Sequence, residues 1–182
     1  VTQVALGRDV SIRAAREAGE KGLKLGIVLQ KDPNVDHPRP EDLHPIGTIV
    51  SVVRYIAAPN GMHHLICQGE QRFRTLDYIP GLPFLAARYD AIHEGEVEGP
   101  EIEARAAYLR QQATEAIELL PQAPPEVTSA IESIESPAAL ADFIAGAIDI
   151  KPAEKQELLE TLDVRERLDK MVDLLAHQLQ VL

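Results

Sequence analysis

Arg72 and Arg74 stand either side of Phe73 in the stretch "GEQRFRTLDY" (69–78). Basic residues interleaved with an aromatic ring on a strand are what single-stranded RNA binders use to hold phosphates and stack a base. Strand periodicity argues against that use here. Successive side chains of a strand point to opposite faces, so Arg72, Arg74, Leu76 and Tyr78 share one parity and Phe73, Thr75 and Ile79 the other. Phe73 is then expected in the core, with the arginine stems lying along the sheet and their heads near carboxylates. Charge agrees: 18 Lys+Arg against 29 Asp+Glu give a formal net charge of −11, the reverse of the basic footprint that displaces phosphate counterions.

The other reactive side chains form no constellation. His63 and His64 are adjacent on an expected strand and so diverge, whereas zinc needs about three or four converging ligands. Ser129, Ser133 and Ser136 sit in or beside helical patterns without a Gly-x-Ser-x-Gly setting, and read as caps or solvent-facing residues. Neither Gly-x-x-x-x-Gly-Lys-Ser/Thr nor Gly-x-Gly-x-x-Gly occurs, so no phosphate-cradling loop is expected. Glu157 and Glu160 lie at exposed helical spacing, as on a solvated face. The expectation for this segment is no catalytic residue, no cofactor site and no metal site.

The elements that carry these residues divide the 182-residue chain in two. Up to Gly99 there are 11 basic and 13 acidic residues (net −2), and from Pro100 onward 7 and 16 (net −9). In the first half, "GRDVSIRAAREAGEKG" predicts a helix with Asp9 or Ser11 as N-cap and Gly19 as its stop. "LKLGIVLQ" (23–30) reads as a short buried strand, and the proline-rich stretch to Pro45 as a surface loop. "IGTIVSVVRYIAA" (46–58) is a strand covered on both faces, "PNG" (59–61) a tight turn, and "MHHLICQGEQRFRTLDYI" the returning strand with a bulge near Gly69. "PFLAARYDAIHE" adds one more.

From Pro100 the period changes from two to 3.6. Helices are expected from Pro100 to Pro121, from Pro125, from Pro137 with Ser136 as cap, from Pro152, and from Asp163, where Glu166 completes a capping-box spacing. The last carries the stripe Val164, Leu168, Met171, Val172, Leu175, Leu179, Leu182 and no stop signal, so it is expected to continue beyond Leu182. The fold class is thus α+β: a small bent β domain with one helix (1–98), then an α-helical bundle ending in a long helix (99–182). The lone Cys67 rules out an internal disulfide and suits a reducing compartment. No apolar run approaches the roughly 20 residues that span a bilayer, and no signal peptide opens the chain. A cytoplasmic protein without a membrane partner is expected. Val1 in place of Met suggests a fragment.

"LGRDVSI", "IVLQKDPNVDHPRPEDLHPIGTIVSVV", "PNGMHHLICQGEQRFRTLDYIPGLPFLAARYD" and "PPEVTSAIESIESPAALADFIAGAIDIKPAEKQELLETLDVRERLDKMVDLL" together resemble the N-terminal substrate-recognition domain of Lon, the bacterial ATP-dependent serine protease. Their order carries the resemblance, above all Gln30-Lys31-Asp32-Pro33, Asp42-Leu43, Gly47-Thr48, Gly69 with Arg72, the Ser136-Pro137 to Asp142 stretch, and Lys155-Gln156 with Leu168. It implies a PUA-like β domain before a helical bundle, and a parent enzyme, a homohexameric ring using ATP and Mg, that degrades misfolded, damaged and some regulatory proteins. The family usually begins with a Pro-rich strand before the Gly-Arg; here only six residues precede Gly7. The family's nucleotide loop and Ser-Lys dyad have no counterpart in these residues, so no catalytic role is carried over.

The expected partners are unfolded or damaged proteins and the other subunits of the ring. A receptor for exposed apolar segments should be a shallow apolar patch whose weak contacts multiply over several copies. Its expected residues are Tyr78, Ile79, Leu82 and Phe84 of "YIPGLPF", and Tyr55, Ile56 and Met62 of the "YIAAPNGM" hairpin. The alternative is a free-standing PUA-like RNA-binding or other binding module. With neither a phosphate loop nor an activated nucleophile, the purified chain should neither hydrolyse ATP nor cleave casein; turnover by a contaminant-free preparation in either assay would contradict this reading.

Overall fold

In the computed structural model, which describes residues 2–95 and 97–181, the Pro59-Asn60-Gly61 signal is indeed a turn. Gly61 takes φ 78°, a left-handed conformation that suits glycine, and the Ala58 amide donates to the Met62 carbonyl at 2.8 Å. The chain folds as two units, Val1–His93 and Glu94–Leu182.

The first unit holds strands β1 (Thr2–Leu6), β2 (Leu25–Ile27), β3 (Ile46–Ala57), β4 (His63–Ile79) and β5 (Ala86–Ile92), and helix α1 (Asp9–Lys21). All pairings are antiparallel, in the order β1-β4-β3-β2, with β5 also on β4. Ile46, Gly47, Ile49 and Val50 are consecutive or near-consecutive and all buried, so the first half of β3 is covered on both faces as its sequence predicts. The strand expected over 23–30 is shorter, Leu25–Ile27, followed by a single bridge from Gln30 to Leu43.

Phe73 explains two glycines. A Cβ on Gly26 would stand 2.9 Å from the Phe73 ring, and one on Gly47 would stand 3.0 Å from it and 2.3 Å from the Ile27 carbonyl oxygen. Phe73 itself is buried and meets Tyr89 edge to face at 5.7 Å. Helix α1 departs from the sequence reading at both ends. Arg8 occupies the N-cap position, Asp9 begins the helix, and the stop is Gly22 at φ 65° rather than Gly19. Gly19 lies inside the helix, where a Cβ would touch only Val52, at 3.7 Å.

The second unit contains α2 (Pro100–Glu118), α3 (Pro125–Ser133), α4 (Pro137–Ala147), α5 (Pro152–Glu160) and α6 (Val164–Val181). Four of these begin on proline, whose fixed φ and missing N–H suit the first helical position. The Ser136 hydroxyl accepts from the Ala139 amide, and Asp163 Oδ1 accepts from the Arg165 and Glu166 amides, capping α4 and α6. Helix α2 stops at Glu118, three residues before the proline expected to end it. The stripe of α6 packs as read: Val164, Leu168, Met171 and Leu175 are buried among Ile102, Leu109, Ile131, Leu140 and Ile144, with Val172 and Leu179 against them. Leu182 lies outside the described residues.

The two glycines predict opposite outcomes. Gly47→Ala must displace backbone at Ile27 and should destabilise the sheet unit by about 2 kcal/mol or more, the scale of overpacking. Gly19→Ala replaces a helix-interior glycine without a clash and should stabilise by roughly 0.5–1 kcal/mol. Urea denaturation followed by circular dichroism measures both; equal effects would refute the packing described for Gly47.

Candidate functional site

The sheet unit contains an apolar cavity of about 550 Å³. β1 supplies Val4, Ala5 and Leu6; β2 supplies Leu25 and Ile27, and β4 supplies Leu65, Phe73, Thr75 and Tyr78. Val10 of α1, Leu43 and Pro38 of the proline-rich loop, and Leu85 and Ala87 at the start of β5 complete most of the wall.

Tyr78 belongs to this wall because of a bulge. Thr75 pairs with Tyr89 but Asp77 pairs with Arg88, so Leu76 is an extra residue. The extra residue resets the alternation, and Tyr78 joins Phe73 and Thr75 at one cavity instead of following Arg72 and Arg74. Burial holds the Tyr78 phenol above its ordinary range against the opposing hydrogen bond to Thr75. Burial also raises the Cys67 thiol, so this free cysteine stays a small apolar residue in the core beside Leu65.

The motif residues at the polar end fix one wall. The Arg8 guanidinium donates to Gln30 Oε1 at 2.6 Å and to the Val35 carbonyl at 3.1 Å, and Gln30 Nε2 donates to the Asp32 and Val35 carbonyls. The Lys31 amide donates to the Asp42 carbonyl at 2.8 Å and the His44 amide to the Leu29 carbonyl at 3.0 Å. A loop with little regular structure beyond a short 3-10 turn at Pro40–Asp42 is thereby tied to β2 and the start of α1.

The seven expected contact residues fall in two groups at opposite ends of the 17-residue β4. Near the hairpin, Met62 is exposed, Ile56 is half-buried, and Tyr55 hydrogen-bonds through its hydroxyl to His63 Nδ1 with Arg16 over its ring. At the far end Ile79 and Leu82 are 45% and 49% exposed, Phe84 is half-buried, and Tyr78 lines the cavity. The rest of the cavity was not among them. Its signals were the Val4/Leu6 alternation and the glycines at 26 and 47, which report a ring that needs room.

Among the described residues no group of three or more His, Cys, Asp or Glu is placed to hold a metal, and no helix is long and apolar enough to cross a membrane. His63, one of the adjacent histidines, is engaged by Tyr55.

Residues 1–177 match the model of the ATP-dependent protease La (LON) substrate-binding domain. The chain is 52% identical over 177 residues to the Lon protease of Paraburkholderia phytofirmans, and 43% identical over all 182 to that of Methylocella silvestris. It covers 97% and 100% of itself in these matches but only 22% of either relative's length. Among solved structures it is similar to the N-terminal domain of the Mycobacterium avium complex Lon protease, with a TM-score of 0.72 and 24% identity over 96% of this chain and 90% of that one. The Lon N-terminal domain protein from Xanthomonas campestris gives 0.63 and 15% over 94% and 88%; these two likenesses speak to the fold. With the family model spanning nearly its whole length, the chain belongs to the LON substrate-binding domain family.

Proposed function

We propose that this chain is the client-engaging part of a longer ATP-dependent serine protease, and that its sheet unit holds exposed apolar segments of unfolded or damaged proteins. The observation that carries the reading is the apolar cavity within a chain matched by the substrate-binding family. Folded proteins bury their apolar segments, so a receptor built from apolar wall discriminates by what a client exposes rather than by its sequence. ATP and Mg chemistry and peptide cleavage belong to the part of the enzyme outside these residues, which supply neither a phosphate loop nor a Ser-Lys dyad. Assembly in a ring of like subunits would set several such receptors around one client, so each contact can be weak. A cytoplasmic setting suits the free, buried Cys67.

Ile79 and Leu82 are exposed at the end of β4 and in the loop that follows, close to Tyr78 and Leu85 in sequence, and offer apolar surface outside the cavity itself. Changing both to Ser should weaken capture of a reduced, denatured protein several-fold. Full burial of an aliphatic side chain is worth roughly 1.5–3 kcal/mol, and a half-exposed contact realises part of that. Capture should change little with salt, whereas RNA held through Arg72 and Arg74 would be lost steeply as salt rises. A pull-down with circular dichroism as the folding control decides it. Unchanged capture by the folded double variant removes this loop from the contact surface.

A further inference from the structure

The cavity wall carries one full charge. Arg8 is the only ionised side chain among the described lining residues, and no carboxylate is present among them. It donates to two neutral acceptors, the Gln30 side-chain oxygen and the Val35 carbonyl, and a guanidinium has five N–H donors. Among the described residues no carboxylate forms an ion pair with Arg8: Asp9 pairs with Arg13, and Asp32 and Asp42 accept from the Asn34 and Arg39 amides of the loop. Arg8 is thus the one cation among the described residues of an apolar wall, held through its terminal nitrogens by Gln30 and the Val35 carbonyl and with no carboxylate of the wall to meet its charge. The volume, about 550 Å³, lies within the usual range of small-ligand pockets and holds a few residues rather than a domain surface.

We propose that the cavity binds the C-terminal end of a polypeptide that finishes in apolar residues. The last side chains lie against Val4, Leu6, Leu65 and Phe73, and the terminal carboxylate accepts hydrogen bonds from Arg8. The inference rests on the reading of this domain as a receptor for unfolded clients and specifies which end of a client it holds. An internal apolar segment supplies the same burial but no anion to meet the guanidinium. A chain terminus supplies both, and a charge-assisted, bidentate contact is the stronger kind.

The test uses the full 182-residue chain and a fluorescein-labelled hexapeptide ending in Ala-Val-Leu, made as the free acid and as the amide. Fluorescence anisotropy should show the acid binding about tenfold tighter, the scale of one charge-assisted contact. Arg8→Gln should bring the acid down to the affinity of the amide, and Arg8→Lys should keep part of the preference. Because Arg8 also ties down the loop, Leu85→Asp gives a second reading that does not depend on that tie. Leu85 is 43% exposed on the wall, and a carboxylate there should weaken the acid more than the amide. Equal binding of acid and amide by the parent, or a preference that survives Arg8→Gln, overturns the proposal. So does displacement of an apolar dye by laurate with no binding of either peptide, which would mark the cavity as a fatty-acid site. Denatured-protein capture by the same preparation separates the two levels: capture without an acid preference sinks this inference alone, while no capture sinks the receptor reading as well.

Discussion

One strand has to serve three partners. β4 pairs with β3 along one edge, and along the other with β1 at His63–Cys67 and then with β5 at Arg72–Ile79. Strands twist, and a ribbon of 17 residues paired on both sides cannot stay flat and straight. Register shifts accommodate the bend. Opposite β3, Ile49 pairs with Gln71 and Val50 with Gly69, so Glu70 is extra; opposite β5, Leu76 is extra. A third shift leaves Val53 of β3 extra. The two shifts within β4 lie beside charged contacts: the Glu70 carboxylate takes Lys24 at 2.5 Å, and Asp77 accepts from Nε and a terminal nitrogen of Arg88 at 2.8 and 2.6 Å. The Lys24 and Arg88 cations accordingly hold these two carboxyls below their ordinary range. Exposed pairs of this kind add little stability, but they oppose slippage of the register by one residue. What depends on the register is the cavity, since the Leu76 shift is what turns Tyr78 toward Phe73.

The helical unit is organised around a different constraint, a fully buried arginine. Arg167 of α6 shows no exposed surface, yet three acceptors meet it: its Nε donates to the Thr161 carbonyl at 2.9 Å, its terminal nitrogens meet the Glu94 carboxylate, and Asp142 Oδ2 lies at 3.5 Å. Burying a guanidinium without such partners would cost several kcal/mol, so the three acceptors are a condition of the site rather than a surplus. They come from the segment before α2, from α4 and from the turn into α6. One side chain thereby registers three otherwise separate pieces of chain against the last helix, and Asp142 is part of the motif stretch that carries the family resemblance.

The sequence disclosed periodicity well and local interruptions poorly. The change from strand to helix at Pro100, the prolines that open four helices, and the α6 stripe were legible because each is a repeated signal over many residues. Gly22 and Gly19 are both glycines near a helix end, and only the left-handed φ at Gly22 separates the cap from the interior residue. The bulge at Glu70 was foreseen because Gly69 breaks the alternation; the one at Leu76 was not, because a leucine there looks like any strand residue. That single unseen insertion misassigned Tyr78 to the arginine face. The cavity itself could not be read, since its wall gathers residues from positions 4 to 87 that only the folded sheet brings together.

The two halves of the chemistry answer different demands on a receptor for unfolded chains. Apolar wall gives affinity that ignores sequence, but it gives no orientation, because burial has no direction. A lone charge beside that wall supplies direction at small cost in generality, provided that it is not already paired. The residues up to Gly99, which build the cavity, carry a net charge of only −2, so little net charge of their own opposes a single carboxylate at Arg8. Nucleic acid, which needs an extended basic track, is thus disfavoured by the same distribution that still admits a single carboxylate. The proposed receptor would hold its client weakly and in one polarity.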